Sequence, residues 1–98
     1  MFKVRETEEF SRWLSALRDL RARGRILVRI GGLQLAIRGD VAPVGEGVSE
    51  LRINYGPGYR VYYVQRGAQY ILLLAGGDKS SQERDIKRAK RLAIEYKE

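Results

Sequence analysis

The chain has 98 residues, of which 44% are hydrophobic and 32% are charged. This length and balance predict one soluble globular domain with a modest core, and they exclude an intrinsically disordered protein. Nineteen Lys and Arg residues against twelve Asp and Glu residues give a net charge of +7. A domain this basic indicates an anionic partner, most often nucleic acid, and a basic protein that is merely soluble is the alternative.

Cysteine and histidine are both absent. Their absence excludes disulfides and thiolate metal sites, and we expect no metal and no cofactor. The charged N-terminus is not typical of a signal peptide, and the longest apolar run, Tyr70 to Ala75, is far shorter than a membrane span. We therefore expect a cytoplasmic protein without membrane contact.

The first part of the chain predicts a short strand followed by two helices. Residues 2–5 alternate apolar and basic side chains, as in a strand. Thr7 is a suitable N-cap for a first helix of about four turns. Its inward stripe has helical spacing and consists of Phe10, Trp13, Leu14, Leu17 and Leu20.

The second helix is predicted from about Ala22 to Ile37. Gly31 and Gly32 interrupt it, which indicates either a kink or the close approach of another surface. Its exposed face is basic, and a solvated helix face is favoured over an RNA-contacting one. The arginines of this face are Arg21, Arg23, Arg25 and Arg29.

The second part of the chain predicts three strands and a last helix. Residues 41–47 contain proline and glycine and indicate a loop or an irregular edge. The strands are predicted at residues 51–53, 59–66 and 69–75, with a turn at residues 56–58. Residues 76–79 break the third strand, and Ser80 or Ser81 caps the last helix.

The predicted order is therefore β-α-α-β-β-β-α in a single α+β domain, residues 1–98. Three segments, Gly39–Ile53 (GDVAPVGEGVSELRI), Tyr55–Tyr63 (YGPGYRVYY) and Gly76–Ala89 (GGDKSSQERDIKRA), carry a family resemblance. In these segments the chain resembles the RelE/ParE superfamily of bacterial toxins. It is most similar to the HigB-like group, called addiction module killer or phage Gp49-like proteins.

The resemblance implies a small, mainly antiparallel sheet with two N-terminal helices and a C-terminal helix. It also implies the toxin of a type II toxin–antitoxin module, with a helix-turn-helix antitoxin as partner. Most RelE-like members are endoribonucleases that cleave mRNA on the ribosome, whereas ParE-like members poison DNA gyrase by binding. A non-toxic basic binding module is a third possibility.

The resemblance also implies site residues. Arg60 matches the arginine of a Gly-Tyr-Arg motif, Arg52 a basic residue of the preceding strand, and Lys79 the position of a catalytic arginine. Glu50 departs from the pattern, because the RelE branch has a basic residue there. As a carboxylate it is a candidate general base, although an ion pair is the favoured alternative. Arginine forks suit the negative charge that develops on phosphorus during 2′-hydroxyl transesterification.

Further residues are expected to bind RNA. No aromatic residue near Asp85 matches the base-stacking residue of the RelE branch, so stacking is assigned to Tyr62 or Tyr96. The additional RNA-binding candidates are Arg66, Arg84 and Lys87. The cationic cluster of Arg52, Arg60 and Lys79 can form only if Arg52 and Arg60 share one face of the sheet. Whether they do depends on the register of the hairpin.

Overall fold

A computed structural model describes residues 1–96 of the chain. The described residues form five strands and three α-helices in the order β1 (Lys3–Glu6), α1 (Glu8–Ala16), α2 (Leu20–Gln34), β2 (Val41–Gly45), β3 (Val48–Ile53), β4 (Tyr59–Arg66), β5 (Tyr70–Asp78) and α3 (Gln82–Glu95). A short 3-10 helix, Lys79–Ser81, connects β5 to α3. Within residues 1–96, none of the helices has the length and apolar character needed to cross a membrane.

The strands form one mixed sheet in the order β1-β5-β4-β3-β2. Only the β1–β5 pair is parallel among the described strands. The α+β class is thus confirmed. Residues 41–47, predicted as a loop or an irregular edge, supply the edge strand β2 and its turn to β3. Pro43 is tolerated there because an edge strand has one side on which no N–H is required.

Each face of the sheet carries its own core. The first face packs against α1 and α2, and the second face packs against α3. On strands β3 and β4, the buried residues of the first face are Leu51, Ile53, Val61 and Tyr63. The buried second-face residues of the sheet include Val48, Tyr62, Tyr70, Leu72, Leu74 and Ala75. This two-sided burial explains why β5 is almost continuously apolar.

A β-bulge in β5 extends this strand beyond its predicted end at Ala75. Tyr62 pairs with Ala75 but Tyr63 pairs with Leu73, so Leu74 is the extra residue. The side-chain alternation shifts by one residue after the bulge. Gly76 consequently meets the Trp13 ring on the first face, and Gly77 meets Asp85 of α3 on the second.

The two glycines are therefore not the predicted strand break. A Cβ atom on Gly76 would lie 2.1 Å from the Trp13 ring, and one on Gly77 would lie 1.8 Å from a carboxylate oxygen of Asp85. Both distances are far below van der Waals contact. Glycine is needed here because two helices pack directly onto the strand backbone.

Of the predicted helix ends, only the start of α1 is capped by the residue that the sequence predicts. Thr7 caps α1 by accepting a hydrogen bond from the Phe10 N–H, at 3.0 Å. The first helix ends at Ala16 rather than at Leu20, because Asp19 caps α2 by accepting from two backbone N–H groups. The second helix ends at Gln34, short of the predicted Ile37.

The serines predicted to cap the last helix have another role. Asp78 caps the 3-10 helix by accepting a hydrogen bond from the Ser80 N–H at 2.8 Å. The Ser81 hydroxyl donates to the buried Asp85 carboxylate at 2.5 Å and makes no side-chain cap of α3. The start of α3 is thus fixed to the end of β5.

Candidate functional site

The register of the β3–β4 hairpin places Arg52 directly opposite Arg60. This confirms that the two arginines share a face of the sheet, since paired residues point to the same side. They lie on the second face, beyond the end that α3 covers. A cleft of about 400 Å³ opens there, lined by Asp40, Arg52, Asn54, Gly56, Pro57, Gly58, Arg60 and Lys79.

Lys79 reaches the cleft from the 3-10 helix that follows β5. Arg60 pairs with Gly77 on β5, two residues before Lys79. Gly58, in the left-handed region at φ +80°, lies between them: a Cβ there would be 3.4 Å from the Lys79 Cβ and 3.9 Å from Arg60 Nη1. The fold therefore brings Arg52, Arg60 and Lys79 together, as the sequence predicts.

Glu50 lies beneath this cleft with its side chain fully buried. Its carboxylate accepts hydrogen bonds from Arg52 Nε at 2.9 Å, Tyr62 Oη at 3.0 Å and Gln82 Nε2 at 2.8 Å. Arg60 Nε lies 3.9 Å from it and completes an ion-paired cluster. One buried carboxylate thus holds both arginines of the hairpin.

The charge state of Glu50 follows from these contacts. Burial by itself raises its pKa, but the hydrogen bonds from Arg52, Gln82 and Tyr62 and the charge of Arg60 outweigh burial and lower the pKa. Both carboxylate oxygens already accept hydrogen bonds. The geometry therefore favours the ion-pair alternative over the predicted general base.

Tyr62 is fully buried in the second-face core. Its burial rules out the base-stacking role predicted for it, because no face of the ring is open to a nucleotide. Burial and the neighbouring charge of Glu50 raise the Tyr62 pKa well above its ordinary value. Tyr62 remains a protonated donor that helps to hold Glu50.

The other RNA-binding candidates lie outside the cleft. Arg66, at the far end of β4, donates to the Ala93 carbonyl at 2.6 Å and joins β4 to the end of α3. Tyr96 follows Gln82 by fourteen residues, roughly 21 Å along a helix. Arg84 and Lys87 line a separate groove on α3 together with Arg88 and Arg91. The structure thus separates these residues from the arginine pair.

Asp40 is a functional candidate that the sequence did not single out. It is exposed at the start of the β2 region and lines the cleft beside Arg52. Its backbone carbonyl accepts from the Arg52 N–H at 2.9 Å and from Arg29 Nη2 at 3.2 Å. It contributes the one carboxylate among the described residues that line the cleft. Its place depends on a long-range contact that no local pattern reveals.

Arg29 also has a role that differs from the solvated face predicted for it. Its guanidinium reaches from α2 to the backbone carbonyls of Arg38, Asp40 and Arg52. A Cβ on Gly39 would lie 2.9 Å from Arg29 Nη2. Arg29 therefore fixes the loop that carries Asp40 against the strand that carries Arg52.

A second buried carboxylate, Asp85, packs against Gly77 of β5 and contacts the 3-10 helix that carries Lys79. It accepts from the Ser81 hydroxyl and from Arg88 Nη2, the latter at 3.0 Å, and Arg88 forms an ion pair with Glu9 of α1 at 2.7 Å. These contacts link α1, the 3-10 helix and α3. The glycine at position 77 was the sequence signal for this close approach.

The comparisons with known proteins give one close relative. The chain is 47% identical over 93 residues to a protein of Haemophilus influenzae, and the match covers 95% of this chain and 94% of the relative. No protein-family model matches the chain. That relative is described only as an uncharacterized protein, so the match shows that the two proteins are related but indicates no activity. With this identity over nearly its whole length, the chain belongs to the family of the Haemophilus influenzae protein.

Proposed function

We propose that this chain is a RelE/ParE-superfamily toxin of the HigB-like group and that it cleaves mRNA on the ribosome. The observation that carries the proposal is the convergence of Arg52, Arg60 and Lys79 on one cleft. The three segments that resemble the family contribute all three cations. The net charge of +7 supports an RNA partner as well.

In the proposed reaction the substrate's 2′-hydroxyl oxygen attacks the adjacent phosphorus. The new bond closes a 2′,3′-cyclic phosphate, and the bond to the 5′ oxygen breaks. Arg52 and Arg60 turn their Nε atoms toward Glu50, so their terminal nitrogens are left to bind the phosphoryl oxygens. Preorganised donors of this kind stabilise the charge of the transition state by about 3 kcal/mol each in a dry site.

The proton transfers are assigned to the two other charged groups of the cleft. The Asp40 carboxylate takes the proton of the 2′-hydroxyl, and the Lys79 ammonium gives one to the departing 5′ oxygen. Glu50 serves as a positioning residue for the arginines, because its own oxygens are occupied. Positioning of the message by the ribosome supplies a further part of the rate.

Cleavage after brief induction tests this proposal. Transcript 5′ ends would be mapped in cells that express the wild type, Arg60→Ala, Arg60→Lys or the control Arg12→Ala, whose side chain is exposed on α1. We expect Arg60→Ala to lose about 100-fold or more in cleavage and to abolish growth arrest. Arg60→Lys should remain impaired, because an ammonium group cannot replace the planar fork.

Two outcomes would contradict the nuclease. Growth arrest that persists in a folded Arg60→Ala variant would show that the toxicity does not depend on the cleft. Cell filamentation and DNA damage with intact transcripts would instead indicate a gyrase poison of the ParE kind. The proposal places the protein in the cytoplasm, with the ribosome, mRNA and a helix-turn-helix antitoxin as its partners.

A further inference from the structure

A second groove, of about 670 Å³, lies between α2 and the end of β3. Asn54 lines both this groove and the cleft that holds the arginine pair, so the two adjoin at this residue. Asn54 is exposed there and follows the last residue of β3. We call this second depression the α2 groove. An extended ligand in the cleft therefore has a continuous path around the end of the strand into the α2 groove.

Three arginines of α2 line the groove as one row. Arg21, Arg25 and Arg29 are four positions apart, so successive members lie about 6 Å apart along the helix axis. This distance is close to the spacing of successive phosphates along an extended RNA strand. Like charges at this spacing destabilise a helix, and a bound anion offsets their repulsion. The row therefore suits a polyanion rather than a single small ion.

Two members of the row are available to a ligand. Arg29 is occupied, because its guanidinium donates to three backbone carbonyls. Arg21 and Arg25 are exposed, and among residues 1–96 neither forms an ion pair with a carboxylate. The sequence favours a solvated face for these arginines. The groove beside them favours the alternative, a face that contacts RNA.

Tyr55 holds the Arg25 guanidinium in place at the groove. The carbon of the guanidinium lies 4.6 Å from the centre of the Tyr55 ring, and the ring itself packs against the first-face core. A cation held over an aromatic ring loses little freedom when a ligand binds. The outer side of a guanidinium plane is a surface on which RNA bases stack. Arg25 thus offers both a charge for a phosphate and a platform for a base.

The position of the groove gives the bound strand a direction. The groove lies on the side of Asp40, whose backbone carbonyl accepts a hydrogen bond from Arg29 Nη2 at 3.2 Å. Lys79 lies on the opposite side of Arg60, because it follows β5 and the sheet order is β5-β4-β3. The attacking 2′-hydroxyl belongs to the nucleotide on the 5′ side of the scissile phosphate. With Asp40 as base and Lys79 as acid, the 5′ side of the strand faces the α2 groove.

We propose that the α2 groove binds the messenger RNA strand on the 5′ side of the scissile phosphate. Arg21 and Arg25 bind its backbone phosphates, and one base stacks on the Arg25 guanidinium. The direction of the strand rests on the proposed function, because the roles of Asp40 and Lys79 define it. The binding of single-stranded RNA in the groove rests on the groove alone.

Affinity for a fluorescent hexanucleotide whose 2′-hydroxyl groups are methylated tests the groove with the full chain. Arg25→Gln is the main variant, and Arg12→Gln is its matched control, because each removes one exposed positive charge from a helix. We expect Arg25→Gln to weaken binding about fivefold and to reduce the slope of log affinity against log salt by about 0.7. Arg12→Gln should stay within about twofold of the wild type. Equal affinities for the two variants would overturn the groove.

A second variant fills the groove without changing its charge. Gly24 lines the groove, and a Cβ on it would meet no atom within 4 Å, so the fold tolerates a side chain there. Gly24→Met should raise the melting temperature, since methionine is a good helix former. The same variant should bind the hexanucleotide several-fold more weakly, because its side chain occupies the path of the strand. Unchanged affinity in this stabilised variant would also overturn the proposal.

Cross-linking on programmed ribosomes tests the direction of the strand. The message would carry a 2′-O-methyl group at the cleaved position and 4-thiouridine at the next nucleotide on either its 5′ or its 3′ side. Mass spectrometry should find 5′ cross-links in the peptides that contain Arg25 or Tyr55, and 3′ cross-links elsewhere. The reverse result would overturn the direction. Absence of both from these peptides, with hexanucleotide binding still weakened by Arg25→Gln, would assign the groove to ribosomal RNA and overturn the messenger strand.

These outcomes separate the groove from the nuclease. Equal affinities for Arg25→Gln and Arg12→Gln in a protein that cleaves transcripts would overturn the groove and leave the proposed function intact. Weaker binding by Arg25→Gln in a protein that leaves all transcripts whole would support an RNA site in the groove and contradict the nuclease.

Discussion

Arg52 and Arg60 face each other directly across the β3–β4 hairpin, with Glu50 buried beneath both. Like charges directly opposite on neighbouring strands destabilise a sheet. The buried carboxylate offsets this repulsion: it accepts a hydrogen bond from Arg52 Nε at 2.9 Å and lies 3.9 Å from Arg60 Nε. The hairpin can therefore hold two permanent positive charges at one point of its surface before any ligand arrives.

Glu50→Gln should destabilise the fold by about 2–3 kcal/mol, because it leaves two arginines near a neutral amide in a partly buried cluster. Equilibrium unfolding in urea at neutral pH measures the change. Glu95→Gln is the control: the Glu95–Arg91 pair is exposed, with its nearest charged atoms 3.7 Å apart. That variant should lose less than about 0.5 kcal/mol. Equal losses in both variants would show that the buried cluster contributes nothing special.

The stability of the protein should fall at acidic pH. The pKa of Glu50 is lowered in the folded state from an ordinary value of 4.5, and that of Asp78 is lowered from 3.8 by its hydrogen bonds with Ser80. The unfolded chain therefore binds more protons near pH 4, and stability rises with pH there. The contribution is complete above about pH 5 and is lost as the pH falls through the folded-state pKa values.

Urea unfolding at several pH values between neutrality and pH 3 checks this dependence. Glu50→Gln should show a shallower acid loss than the wild type, because a carboxyl group whose pKa is lowered in the folded state is gone. Identical slopes for the two proteins would mean that Glu50 is not held in its ionised form by the fold.

Gly76→Ala and Gly77→Ala should each destabilise the protein by about 1–3 kcal/mol, because the added methyl group displaces Trp13 or Asp85. Gly24→Ala is the control, since its Cβ would enter open space on a helix. It should stabilise the fold by about 1 kcal/mol. Thermal unfolding of the three variants gives the comparison, and a neutral Gly77→Ala would contradict the close packing of Asp85 on β5.

Asp40→Asn should slow cleavage by about 100-fold or more while leaving RNA affinity nearly unchanged, because it removes a proton acceptor and no cation. Cleavage would be measured on programmed ribosomes, and affinity with a short RNA whose 2′-hydroxyl groups are methylated. Glu46→Gln, an exposed carboxylate in the β2–β3 turn, is the control and should keep full activity. A fully active Asp40→Asn variant would exclude Asp40 as the base.

The sequence was sufficient to predict the arginine pair, because strand alternation and the Gly-Pro-Gly turn are local. Arg52 lies one residue from Leu51 and Ile53, and Arg60 one residue from Val61, so inward apolar residues force both arginines outward. Similar local patterns predicted the three helices and four of the five described strands, so the predicted order has one strand fewer than the structure. β2 was missed as a regular strand because proline and glycine are typical of loops. Its extended backbone is stabilised by pairing with β3, which the local sequence does not indicate.

The roles of Tyr62, Glu50 and Asp40 could not be predicted in this way. On β4, residue alternation states only that Tyr62 shares a face with Arg60, and the packing of α3 decides that this part of the face is buried. Glu50 becomes an anchor for the arginines because Gln82 arrives from α3, thirty-two positions later in the chain. Asp40 reaches the cleft because Arg29 holds its loop.

The sequence by itself determined the charge of this protein, its helices and most of its strands, and the shared face of Arg52 and Arg60, since these depend on neighbours a few positions apart. Only the tertiary structure decided which polar groups are buried, which carboxylate stays open to the cleft and which side of α2 remains uncovered. Those properties depend on contacts between segments that are distant in the chain, and the pattern of neighbouring residues does not predict such contacts.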